Sequence, residues 1–140
     1  MKSIVAVRGS ANSGKSSSVK EALSLLKSKY PMAVVEERFV GVDITIVITI
    51  NGVKVGIESQ GDPNSRLFAS LKTFVKIGCH IIVCATRTRG ATVNAVDALS
   101  ARYRIHWIEK TRVPSLAKQA AATSATARAI LVEVQAAIDA

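Results

Sequence analysis

The sequence predicts an α/β fold, a three-layer sandwich with a mostly parallel sheet and one antiparallel hairpin strand. Two observations predict this class. Short β-branched or apolar runs alternate along the chain with segments in which apolar residues recur every three or four positions. A tight-turn signal also joins two neighbouring strands directly. The 140 residues correspond to one domain by length, so residues 1–140 are predicted to form a single unit.

The chain begins with a predicted strand and a predicted helix. Residues 3–8, SIVAVR, are mostly apolar and rich in β-branched side chains, which favours a strand. A helix is predicted over about residues 14–28. Its apolar stripe has the spacing i, i+3, i+4 and i+7 and consists of Val19, Ala22, Leu23 and Leu26. Tyr30 should end this helix, because a residue that precedes proline disfavours the helical conformation.

The clearest local signal is a β-hairpin in the segment ITIVITINGVKVGIES. Its centre is Asn51-Gly52, the pair that best tolerates the positive φ angles of a type I′ turn. Folding the chain about this turn pairs Ile50 with Val53, Ile48 with Val55, and Ile46 with Ile57. All six side chains then share one face of the sheet, so the turn and the hydrophobic register agree.

Another helix and a central strand are predicted after the hairpin. The helix lies within residues 66–77, and its stripe consists of Leu67, Leu71, Phe74 and Val75. Before it, Asp62-Pro63 is typical of a helix N-cap followed by a proline in the first turn. Residues 80–86, HIIVCAT, are apolar almost throughout, which is typical of a strand buried on both faces.

The C-terminal third is predicted to contain a short helix, a strand and a long helix. Thr92 is expected to cap the short helix, which lies within residues 91–103. The strand covers residues 104–110, RIHWIEK. The long Ala-rich helix starts at about Ser115, and its apolar seam consists of Ile130, Leu131, Val134 and Ile138. This helix is expected to pack on the sheet or to offer its small-residue surface to a second copy, so a homo-oligomer remains open.

Charge and cysteine content indicate the cellular compartment and the chemical class of the binding partner. Nineteen basic and ten acidic residues give a net charge of +9, which favours an anionic partner, either nucleotide phosphates or a nucleic acid. Cys79 and Cys84 are expected to be reduced, packed thiols. No apolar run approaches the roughly 18 residues of a membrane span, and the N-terminus does not resemble a signal peptide. A cytoplasmic protein without a membrane partner is therefore expected.

A glycine-rich loop lies between the first strand and the first helix. Residues 9–16, GSANSGKS, match the pattern G-x-x-x-x-G-K-[ST] in the context that this pattern requires. Such a loop turns its backbone N–H groups around a phosphate at the positive end of a helix. Lys15 would reach the β- and γ-phosphate oxygens, and the Ser16 hydroxyl would be a ligand for Mg²⁺. The other loop residues expected to bind the nucleotide are Gly9, Asn12, Ser13, Gly14 and Ser17.

This segment resembles the Walker A motif of the P-loop NTPase superfamily, and the order of elements resembles that of small GTPases. The resemblance implies a P-loop NTPase fold, Mg²⁺ as cofactor, and ATP or another nucleoside triphosphate as ligand. P-loop proteins also place an acidic residue near Mg²⁺ at the end of a second strand. Glu58 and Gly61 resemble the D-x-x-G motif of small GTPases, with Glu in place of Asp. The resemblance implies that Glu58 binds the metal or orients water, that Gln60 orients water, and that the Gly61 amide approaches the γ-phosphate.

The base-binding residues are less well defined. Where GTPases carry N-K-x-D, this chain has ATRT, so guanine specificity is unsupported. Arg87, with Arg112 and the adjoining Val113 and Pro114, is predicted to form a slot for adenine. Alternatively, Arg87 or Arg89 clamps the phosphate of a second substrate.

The sequence therefore leaves three candidate functions. The first is Mg²⁺-dependent binding and hydrolysis of a nucleotide, with ATP as the expected substrate. The second is a phosphotransferase that acts on a small molecule or a nucleotide. The third is a nucleotide-gated switch or nucleic-acid-associated module with little turnover.

Overall fold

The computed structural model describes residues 2–140 as an α/β fold with six strands and four helices. The strands are β1 (Lys2–Arg8), β2 (Val34–Val40), β3 (Ile44–Ile50), β4 (Val53–Glu58), β5 (Ile81–Thr86) and β6 (Tyr103–Glu109). The helices are α1 (Lys15–Lys29), α2 (Leu67–Lys76), α3 (Ala91–Asp97) and α4 (Leu116–Asp139). None of these helices combines the length and apolar character needed to cross a membrane.

The sheet is mixed, in the order β2-β3-β4-β5-β1-β6. The β4–β5, β5–β1 and β1–β6 pairs are parallel, whereas the β2–β3 and β3–β4 pairs are antiparallel. The prediction of a mostly parallel sheet was therefore wrong, because two of the five strand pairs are antiparallel. Among the described strands β3 runs opposite to the others, and the edge strand β2 was not predicted. Strand β2 lies at the edge and is largely exposed, and its centre carries Glu36, Glu37 and Arg38, so it shows no apolar alternation.

The predicted hairpin is confirmed. Ile50 pairs with Val53, Ile48 with Val55, and Ile46 with Ile57. Asn51 and Gly52 adopt φ angles of 50° and 80°, as a type I′ turn requires.

Helices cover both faces of the sheet and bury two apolar clusters. On one face, α1 and α4 pack on the sheet through the predicted stripe of α1 together with Ile130 and Val134 of α4. On the other face, α2 and α3 bury Leu67, Leu71, Phe74 and Val96. The predicted central strand β5 is buried along its whole length, and Cys79 and Cys84 are buried free thiols.

Two predicted helix caps were wrong. Helix α2 begins at Leu67, five residues after Asp62, and the Gln60 Oε1 accepts the Arg66 N–H at 2.8 Å near its start. Thr92 lies inside α3 rather than before it, and its Oγ1 accepts the backbone N–H of Arg87 at 2.9 Å. The Asp62 side chain is instead paired with Arg87 Nε at 3.0 Å, so both predicted capping side chains contact Arg87.

Candidate functional site

Several connecting segments meet at one edge of the sheet. Strands β4, β5, β1 and β6 are mutually parallel, so their carboxyl ends lie at the same edge, where open α/β folds bind ligands. Strand β2 is antiparallel to β3, which is antiparallel to β4, so the turn over residues 41–43 reaches this edge as well. The loop after β1 therefore lies near residues that are distant in sequence.

The loop after β1 is shaped by two positive φ angles and one close approach. Asn12 and Gly14 adopt φ angles of 60° and 92°, which turn the chain into α1. A Cβ atom on Gly9 would lie 2.3 Å from the backbone oxygen of Lys110 and 2.8 Å from Ser13 Oγ. Glycine is therefore required at position 9 by packing and favoured at position 14 by backbone conformation.

This loop presents polar groups that have no partner within the protein. Within residues 2–140, none of the backbone N–H groups of residues 14–17 donates a hydrogen bond to another protein group, and α1 has no side-chain cap. The Ser13 side chain is buried, and its Oγ lacks a hydrogen-bond partner in the same described residues. Buried polar groups are normally hydrogen-bonded, so this arrangement is suited to an anionic ligand.

Lys15 folds back into the loop. Its side chain is 7% exposed, and its Nζ donates to the backbone oxygens of Gly9 at 2.6 Å and Thr86 at 2.8 Å. Burial lowers the pKa of Lys15 to about 8, with Asp62 opposing the shift and Arg87 adding to it. Within residues 2–140 no carboxylate contacts this ammonium group directly, and an anion bound in the loop would favour its charged form.

The carboxylate beside Ser16 belongs to Asp43, which sequence reasoning missed. Its Oδ1 accepts hydrogen bonds from Ser16 Oγ at 2.6 Å and from Ser59 Oγ at 2.8 Å. Partial burial favours the neutral carboxyl, but these two hydrogen bonds outweigh it, with help from Lys20 and Arg66, and the pKa of Asp43 is lowered. Asp43 follows the unpredicted strand β2 in a short turn, so no sequence signal linked it to the loop.

Glu58 has a different environment. Its carboxylate is fully buried and accepts hydrogen bonds from Thr45 Oγ1 and Ser70 Oγ, each at 2.6 Å, and from the Gln60 amide at 2.9 Å. The Arg66 guanidinium lies 3.4 Å away. Four donors thus surround Glu58, and they tie the end of β4 to β3 and α2.

A cavity of about 240 Å³ lies on one side of the loop. It is lined by residues 11–17, Asp43, and residues 59–62, so it includes Gln60 and Gly61 but not Glu58. The side-chain oxygen of Gln60 is bonded to the Arg66 amide. A Cβ atom on Gly61 would lie 2.5 Å from the Ala85 oxygen, so packing against β5 by itself requires glycine there.

A second cavity, of about 290 Å³, lies on the opposite side of the loop. It shares Asn12, Ser13, Gly14 and Ser17 with the first and is completed by Lys110, Val113, Gln119 and Thr123. Lys110 and Gln119 were not singled out from the sequence, because they lie about 100 residues after the loop and carry no motif.

Arg87 and Arg112 do not lie together, so they do not form the predicted adenine slot. Arg87 Nε lies 3.0 Å from Asp62 Oδ1, beyond β5, whereas Arg112 is exposed beyond β6. Strands β5 and β6 flank β1 on opposite sides. Neither arginine lines the cavity of about 290 Å³, although Val113 does.

No group of three or more His, Cys, Asp and Glu side chains within residues 2–140 is arranged to hold a metal ion. Comparisons with protein-family models, curated proteins and solved structures find no significant match to this chain.

Proposed function

We propose that this protein is a P-loop NTPase that binds a nucleoside triphosphate, with ATP as the expected substrate, and hydrolyses it with Mg²⁺. The observation that carries the proposal is the loop at residues 9–17. The free amides of residues 14–17, the buried Lys15 ammonium and the unpartnered Ser13 hydroxyl converge beside a cavity. Backbone amides at a helix N-terminus, together with a lysine, form a well-suited binding site for phosphate groups.

The donor set also fits Mg²⁺. Mg²⁺ prefers oxygen ligands and usually keeps several waters, so one hydroxyl and one carboxylate suffice on the protein side. Ser16 and Asp43 would hold the ion, since their oxygens are 2.6 Å apart and Asp43 has a lowered pKa. When bound, Mg²⁺ supplies positive charge that offsets the charge of the phosphates. Ser16 retains the role expected for it, whereas Asp43 fits the carboxylate role better than the buried Glu58.

The remaining residues position the site. Glu58 would act as a positioning residue, because it holds the Gln60 amide and the Arg66 guanidinium. Gln60 remains the proposed water-orienting residue, and this role requires its side chain to leave the Arg66 amide. Catalysis of this kind depends mainly on positioning and electrostatics, so no covalent step on the protein is required.

A nucleotide panel tests the proposal. ATP, GTP, CTP and UTP, each with and without Mg²⁺, should be compared by thermal shift and by phosphate release. We expect ATP with Mg²⁺ to raise the melting temperature most, because a ligand bound only by the folded state stabilises that state. A melting temperature that no nucleotide changes, with no phosphate released, would refute the proposal.

The phosphotransferase alternative differs in one measurable respect. ATP consumption would then depend on an added acceptor, which Arg87 or Arg89 would bind. Arg87 is paired with the exposed Asp62, so it is not free for this role in the described conformation. The nucleic-acid alternative rests on the net charge of +9 and requires an affinity for DNA or RNA that falls steeply with salt.

A further inference from the structure

Lys110 is a second buried lysine beside the loop. Its side chain is 6% exposed, and it lies directly after β6. Its backbone holds the loop in place, because the Lys110 N–H donates to the Arg8 oxygen at 2.8 Å and its own oxygen abuts Gly9. A Cβ atom on Gly14 would lie 3.3 Å from Lys110 Cε and 3.7 Å from Nζ, so the ammonium group is next to the loop backbone.

This ammonium group has no partner of opposite charge. Within residues 2–140, Lys110 forms no ion pair, and its Nζ donates no hydrogen bond. The adjacent carboxylate in sequence, Glu109, is held by Arg8 at 2.6 Å. The Lys110 side chain lines the cavity of about 290 Å³, where an ammonium group without a carboxylate partner attracts an incoming anion.

The positions of the two cavities suit an elongated ligand that lies across the loop. They share four loop residues, and Ser13, whose buried hydroxyl lacks a partner, is one of them. The cavity with Lys15, Ser16 and Asp43 would take the terminal phosphates and the metal. The cavity with Lys110, Val113 and Gln119 then has the position and volume for the nucleoside end of the ligand.

We propose that Lys110 binds the α-phosphate of the nucleotide, from the side of the loop opposite to the cavity of the terminal phosphates. This inference rests on the proposed nucleotide-binding function, and it assigns the α-phosphate to Lys110 and the β- and γ-phosphates to Lys15. Lys110 therefore recognises the phosphate that nucleoside mono-, di- and triphosphates share. Lys15 recognises the phosphates that only the longer nucleotides carry.

The test measures affinities of AMP, ADP and ATP by calorimetry for four proteins: wild type, K110M, K15M and K118M. Lys118 is exposed on α4 and provides a matched control. We expect K110M to lose about tenfold or more in affinity for all three nucleotides, by a similar factor. K15M should lose more for ATP and ADP than for AMP, and K118M should match wild type. Unliganded K110M should melt no lower than wild type, since the Lys110 ammonium makes no hydrogen bond or ion pair within residues 2–140.

The outcomes separate this inference from the proposed function. If wild type binds ATP and K110M binds all three nucleotides as wild type does, the assignment of Lys110 is overturned while the proposed function stands. If wild type binds no nucleotide, the proposed function fails and the assignment falls with it. Should K110M not fold, K110Q provides the same comparison, because it also removes the charge and keeps a polar end. K110R, which retains the charge, should recover much of the lost affinity.

Discussion

Ser16 donates a 2.6 Å hydrogen bond to Asp43, although the two residues lie 27 positions apart. Ser16 lies in the first turn of α1, directly after the glycine-rich loop, and Asp43 lies in the turn between two antiparallel strands. The contact depends on β2 being parallel to β4, because this direction brings the turn to the edge of the sheet where the parallel strands end. The site therefore has its carboxylate in a segment whose sequence carries no functional motif.

Asp43 is expected to control the response to Mg²⁺. D43N keeps the shape of the side chain but removes its charge, so about tenfold more Mg²⁺ should be needed for half-maximal phosphate release. Titration of Mg²⁺ at fixed ATP measures this change. D97N, at an exposed position of α3, is the control. An unchanged Mg²⁺ requirement in D43N would remove Asp43 from the metal site.

Glu58 is expected to matter mainly for stability. In E58Q, the amide group cannot satisfy all the donors that surround the buried carboxylate, so the free energy of unfolding should fall by about 2–4 kcal/mol. Urea denaturation gives this value, and phosphate release per folded molecule gives the activity. Full stability combined with slow release would instead support the role in metal binding or water orientation that the D-x-x-G resemblance implies.

Lys15 is expected to be essential for nucleotide binding but not for folding. K15M should weaken ATP binding by about a hundredfold, because it removes the charge-assisted contacts to the phosphates. The free energy of unfolding should remain within about 1 kcal/mol of wild type or rise, since a buried ammonium is lost. Calorimetry and thermal melting measure the two effects, with K27M at an exposed position of α1 as the control. Normal ATP affinity in K15M would contradict the proposed function.

Binding is expected to weaken at alkaline pH. The folded protein holds the pKa of Lys15 at about 8, below the ordinary value of 10.5. The phosphates favour the charged lysine, so ATP affinity should be constant below pH 8 and decline above it. K15R should not show this decline, because arginine stays charged. Affinities measured from pH 7 to 9.5 provide the comparison, and equal profiles for both proteins would show that another group controls the response.

The same pKa shift affects the stability of the unliganded protein with the opposite sign. Between pH 8 and 10.5 the unfolded chain keeps the proton on Lys15 while the folded protein releases it. The Lys15 contribution to the free energy of unfolding should therefore rise with pH across this interval. The difference between wild type and K15M in urea denaturation at pH 7.5 and 9.5 isolates this contribution. A difference that stays constant with pH would contradict the lowered pKa.

Substitutions at two glycines should distinguish a defect in binding from a defect in folding. G9A places a Cβ atom 2.3 Å from the Lys110 oxygen, so the loop must shift and ATP affinity should fall at least tenfold. G52A meets no atom within 4 Å and only strains a positive φ angle. It should cost about 1 kcal/mol of stability without changing affinity. Equal affinities of the folded G9A and G52A proteins would show that the position of the loop is not critical.

Local patterns predicted the parts of the fold that depend on near neighbours in sequence. The turn at Asn51-Gly52 sets its own register, because only a type I′ turn matches both the φ angles and the shared apolar face. The stripe of α1 is likewise buried as predicted. Edge strand β2 was not predicted because an exposed strand needs no apolar alternation. The side chains of Asp62 and Thr92, which were predicted to cap helices, both contact Arg87 instead.

The sequence by itself determined where a phosphate-binding loop is expected, since glycine spacing, Lys15 and Ser16 lie within eight residues between a strand and a helix. The tertiary structure decided which distant side chains surround that loop. Strand order brings Asp43 against Ser16 and Lys110 against Gly14, and it leaves Glu58 buried among donors. The physical reason is that a loop conformation follows from local backbone preferences, whereas the pairing of strands places residues from 27 to about 100 positions away beside it.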